Sequence, residues 1–61
     1  MKIKVHYKKL NYNNFRCGDV LEGSDNNQYV IFDVIACWVV LRELSEDERQ
    51  KRQYIVGRVE I

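Results

Sequence analysis

Proline is absent from this 61-residue chain, and cysteine and histidine are scarce, at two and one. Without proline, no segment is barred from helix or strand on that ground. Two cysteines are fewer than small secreted domains normally use to brace themselves, so Cys17 and Cys37 are expected to be free thiols. A structural zinc site needs four ligands, and Cys17, Cys37 and His6 supply three with no tight pair among them. No metal or other cofactor is therefore expected. Phosphate loop, dinucleotide fingerprint and nucleophile elbow are all missing, so the chain is not expected to be an enzyme. The longest apolar run, residues 34–41, is too short to span a bilayer, and the charged N-terminal stretch lacks the apolar core of a signal peptide. A cytoplasmic location is expected, with no membrane partner and no small-molecule substrate.

What is present begins with charge. Residues 1–18 carry Lys2, Lys4, Lys8, Lys9 and Arg16 and no acid, whereas residues 19–61 hold five basic and nine acidic groups. The net charge of +1 thus conceals a dipole. Lys2, Lys4, His6 and Lys8 alternate with Ile3, Val5 and Tyr7, which predicts a strand with cations on its wet face and the three apolar residues in the core. Apolar residues make up 46% of the chain and charged residues 31%, an ordinary balance for a globular protein. Residues 1–61 form one domain, whose size limits burial to about 60% of the area its unfolded chain exposes.

Further along, residues 9–17 show no sustained period and read as a long loop pinned by Tyr12 and Phe15. A second strand is predicted over residues 19–22, followed by a turn through Gly23, Ser24, Asp25, Asn26 and Asn27, which suit left-handed and turn conformations. Residues 29–41 are apolar or aromatic except for Asp33, and their β-branched content favours two strands over one helix. These are placed at 28–35 and 38–44, reversing near Ala36 and Cys37. Ser45 and Glu48 have capping-box spacing, and Asp47 with Lys51 and Glu48 with Arg52 stand at the i,i+4 separation that favours ion pairs. A helical turn should therefore precede a last strand over residues 54–61, in which Gly57 permits a bend or close approach.

The sum is an all-β fold with minor α: a small five-stranded barrel with one short helical turn before the last strand. Its element order resembles that of SH3-like barrels, with the long loop after strand one and the helical turn before strand five. The peptide-groove aromatic motifs of SH3 domains are not found, so binding of proline-rich ligands is not carried over. Asn11, Asn13, Asn14, Asn26 and Asn27, with frequent Lys, Ile and Tyr, give an AT-rich style of composition. In size and composition the chain is similar to small phage-encoded anti-defence proteins, such as anti-CRISPRs. That likeness implies an inhibitor or regulator acting on another protein in the host cytoplasm.

Two surfaces are candidates for function. Strands three and four carry apolar side chains on both faces, and a barrel this small has one interior, so part of the second face should meet the chain's own loop, its helix or another molecule. Tyr29, Ile31, Ile35, Trp38 and Val40 are the expected protein-binding or dimer-forming residues, with Tyr29 and Trp38 as aromatic anchors. The alternative is nucleic-acid binding by Lys2, Lys4, Lys8, Lys9 and Arg16, since alternate side chains on a strand lie about 6.7 Å apart and can follow a phosphate backbone. The same lysines also suit an edge strand guarded against self-pairing. A third reading is a small structural subunit of a larger complex. Glu43, Glu46, Asp47 and Glu48 read as a solvated helix start.

Overall fold

Strand β1 spans Lys2–His6 and is followed by a short 3-10 turn, Tyr7–Lys9, in a computed structural model that describes residues 1–61. The remaining elements are β2 (Val20–Gly23), β3 (Gln28–Ile35), β4 (Trp38–Glu43), helix α1 (Glu46–Gln50) and β5 (Ile55–Val59). The fold is all-β with one short helix, and β3 occupies the span its composition predicts. All five strands join one sheet in the order β1-β4-β3-β2-β5. β2, β3 and β4 form an antiparallel meander, β1 adds antiparallel to β4, and β5 lies parallel to β2.

The two ends of this sheet meet below β1. Leu10 forms an antiparallel bridge with Val59, Asn11 N–H donates to the Arg58 carbonyl at 3.1 Å, and Glu60 N–H donates to the Lys9 carbonyl at 2.9 Å. Residues 9–11 thereby close the sheet into a small barrel, as a continuation of β1 beyond its turn. That turn moves Tyr7 out of the strand, and its ring is 41% exposed rather than in the core. Leu10 takes the interior place that strict alternation would have given to the next inward residue.

Inside the barrel lie Leu10, Leu21, Tyr29, Ile31, Val39, Leu41 and Val59, with Ile3, Val5, Tyr12, Phe15 and Val56 packed against them. The long loop is thus pinned by Tyr12 and Phe15, whose rings meet edge to face at 6.3 Å between centroids. Tyr12 lies over Gly57: a Cβ at that glycine would sit 2.5 Å from the tyrosine ring. Only glycine lets the loop close this tightly on β5.

A second, smaller cluster of Val20, Val30 and Leu44, joined by Ile55, forms on the outside of the barrel where the chain runs into α1. The helix starts as its residues predict. Ser45 Oγ accepts from Glu48 N–H at 3.2 Å, and the Glu48 carboxylate accepts from Ser45 N–H at 2.8 Å. The anticipated Asp47 with Lys51 and Glu48 with Arg52 pairs do not form, because the helix stops at Gln50 and Lys51 is its extended cap. Glu48 turns back to β4 instead, where both oxygens accept from the Arg42 guanidinium, at 2.9 and 3.2 Å.

Candidate functional site

Cross-strand partners point to the same side of a sheet, so the register fixes which side chains face out. On β1 these are Lys2, Lys4 and His6, paired respectively with Arg42, Val40 and Trp38 of β4. On β3 the pattern is interrupted. Ile31 pairs with Leu41 and Asp33 with Val40, so Phe32 is an extra residue in a bulge. Before the bulge the even-numbered Val30 faces out; after it, Asp33 and Ile35 do, alongside Val40 and Trp38.

That bulge divides the expected protein-binding set. Tyr29 and Ile31 are 5% and 2% exposed and belong to the core, so neither can anchor a partner on the outside. Ile35 and Trp38, opposite one another at the end of the β3–β4 hairpin, are 55% and 40% exposed, and Val40 beside them is half-buried. Phe32, 48% exposed, joins them: it shares the outward parity of Val30 and stands at the bulge itself. The signal in the sequence is an aromatic residue in a strand apolar on both faces; which face lies outside, and the one-residue slip that turns Asp33 and Ile35 outward beyond Phe32, depend on pairing with β4.

Two cations of β1 border these side chains. Lys2 Nζ lies 3.9 Å from the centre of the Phe32 ring, and Lys4 Nζ lies 5.6 Å from the Trp38 ring. Such contacts contribute on the order of 0.5–1 kcal/mol at exposed positions and hold the ammonium groups close to the apolar surface. His6 meets Trp38 edge to face at 5.5 Å and Tyr7 at 4.7 Å, while its Nδ1 accepts from Lys8 N–H at 3.2 Å. The result is a continuous outward face of Phe32, Ile35, Trp38 and Val40 with ammonium groups along the β1 side and Asp33 within it.

The five candidate phosphate-binding cations are separated. Lys2 and Lys4 share this face, Lys8 and Lys9 lie in the 3-10 turn, and Arg16 is in the long loop. Lys9 points toward β5, where its Nζ is 3.5 Å from a Glu60 oxygen. Four ion pairs are present, Lys9–Glu60, Arg42–Glu48, Arg49–Glu43 and Arg58–Glu22, so of the five candidate cations Lys2, Lys4, Lys8 and Arg16 have no acidic side-chain partner.

Elsewhere, polar groups serve the fold. Tyr12 donates to the Asp19 carboxylate at 2.9 Å and Tyr29 to Asp25 at 2.6 Å; burial and then the Asp19 carboxylate push the Tyr12 phenol above its ordinary pKa. The Arg42 guanidinium and then the Ser45 amide hold Glu48 down at about 2. Since the folded value lies below the ordinary 4.5, the stabilisation is present above that pH and is lost as pH falls toward 2. Acid titration of Tm should show this loss, and Glu48→Gln should flatten that limb while lowering Tm at neutral pH. Cys17 and Cys37 are free thiols, exposed and half-buried respectively, and no three metal-ligating side chains stand together. No helix is long and apolar enough to cross a membrane. Comparison with known proteins gives no match to a family model, a curated protein or a solved structure.

Proposed function

We propose that this chain is a non-enzymatic binding module, a regulator or inhibitor that docks on another protein through Phe32, Ile35, Trp38 and Val40. The observation that carries the reading is their exposure together. Tyr12 and Phe15 of the long loop, and Leu44 and Ile55 on either side of α1, cover apolar surface elsewhere, yet an indole, a phenyl ring and an isoleucine remain open on one face. Aromatic side chains dominate interface energetics, and the half-buried surroundings of Trp38 give it the fixed position that an anchor needs. Size and composition support an origin in a phage or mobile element and an anti-defence role in the host cytoplasm.

A second reading has one specific support. Lys2 and Lys4 stand beside exposed aromatic rings, the combination by which single-stranded nucleic acids are held through phosphate attraction and base stacking. The pairing of Lys9 with Glu60 and the position of Arg16 in the long loop, outside β1, weaken it. Affinity capture from host lysate, with and without nuclease, separates the two. A protein partner that survives nuclease and is lost from a Trp38→Ala variant is expected. Loss of every partner after nuclease would instead favour nucleic acid.

A further inference from the structure

The strand that carries the cations has only one neighbour. β1 stands at the end of the sheet order, and residues 9–11, not β1 itself, close the barrel onto β5. Its hydrogen-bond phase follows from the turn. Tyr7 N–H donates to the Cys37 carbonyl at 2.9 Å, in register with the β1–β4 pairing. Antiparallel strands alternate hydrogen-bonded and non-hydrogen-bonded pairs, so Ile3 and Val5 bond to β4 while the N–H and C=O groups of Lys2, Lys4 and His6 point away from it. Along that edge runs an open groove of about 580 Å³, bordered by Ile3, Lys4, Val5, His6, Trp38 and Ile61 among others.

We infer that this edge receives an extended peptide segment as an added strand, and that the segment alternates acidic with apolar residues. The inference rests on the protein-binding reading above and names the partner's chemistry. Five residues of β1 present about 17 Å of edge, the length of an ordinary short strand. Side chains of the added strand that face out lie beside Lys2 and Lys4, which have no acidic partner, so carboxylates suit those positions. The alternate side chains turn inward over Ile3 and Val5, which are half-buried, and toward the exposed Ile61. Main-chain bonds then supply affinity and the alternating contacts supply specificity, as in strand addition generally. A second copy of β1 is a poor occupant. Antiparallel pairing about Lys4 would set Lys4 against Lys4, and directly opposed like charges destabilise a strand pair.

The probe is a fluorescein-labelled ten-residue peptide alternating Glu and Val, titrated by fluorescence anisotropy. Versions N-methylated at the Glu nitrogens or at the Val nitrogens remove donors from one edge of the peptide only. Strand addition predicts that one methylation pattern weakens binding about tenfold or more while the other leaves it near the parent, the Glu pattern being the damaging one for antiparallel addition. Lys4→Glu should weaken the acidic peptide by about tenfold and admit its Lys-Val counterpart. Equal effects of the two methylation patterns, no binding of the parent peptide, or tighter Lys4-dependent binding of a twelve-nucleotide single strand would each overturn the inference. Partner capture by wild type and Trp38→Ala is measured alongside. Peptide failure with capture still dependent on Trp38 defeats the edge inference alone, whereas peptide binding with capture indifferent to Trp38 defeats the reading of the outward face.

Discussion

A Trp38→Ala variant is expected to bind the captured partner at least about 2 kcal/mol more weakly, roughly a thirtyfold rise in Kd. The indole is the largest side chain on the open face, its edge is fixed by His6, and Lys4 lies over its ring. More than half of its surface is covered by its neighbours, so truncation also lowers stability and binding must be measured where the variant is folded. Ile35→Glu removes that ambiguity. Ile35 stands opposite Trp38 and is largely exposed, so a carboxylate there leaves the core intact while placing a charge where the partner's apolar surface would be desolvated. Both variants should therefore lose the partner, with Ile35→Glu keeping a Tm close to that of the wild type. If both retained wild-type affinity, the face would not be the interface.

The largest expected stability effect lies inside the barrel. Leu21 is fully buried on β2, the strand that holds both β3 and the parallel β5. Truncation to alanine should cost about 3 kcal/mol, within the range of about 2–5 kcal/mol for buried leucines that leave a cavity. A 61-residue domain has little to spare, since cores of this size rarely supply more than about 3–5 kcal/mol. Leu21→Ala should thus be largely unfolded at 37 °C by circular dichroism, whereas Ile35→Glu should remain folded. A cooperative melt for Leu21→Ala near the wild-type Tm would mean that β2 is not the centre of the fold.

How far the sequence reveals this arrangement depends on the range of the interaction involved. The β3 span and the reversal at Ala36 and Cys37 follow from neighbouring residues, as does the capping box of Ser45 and Glu48. The close approach at Gly57 was legible too, although its partner Tyr12 lies 45 positions away and only the fold brings it there. Facing was harder to read. Where both parities of a strand are apolar, alternation cannot say which side is the interior, and the extra residue at Phe32 reverses the answer halfway along β3. Tyr29 and Ile31 consequently lie in the core while Ile35 lies outside. The fate of Glu48 is similar: its i+4 neighbour Arg52 is local, but Arg42 on β4 is the group that the fold presents to it. Parallel pairing of β5 with β2 has no local signature at all.

The outward face is also where the two electrostatic halves of the chain meet. The unpaired Lys2 and Lys4 come from the basic first third, and Phe32, Ile35 and Trp38 from the central apolar run. A partner that combines an apolar patch with carboxylates would satisfy both, and its association should slow as salt rises because exposed charges are screened over about 10 Å at 0.1 M.

Chemical-shift mapping of the isotope-labelled chain bound to its captured partner tests the central claim most directly. The largest perturbations are expected on β1 and residues 32–40, including the Trp38 indole N–H, with α1 and the loop over residues 11–19 little changed. Perturbations confined to α1, residues 51–54 or that loop, with the Trp38 indole unmoved, would contradict it.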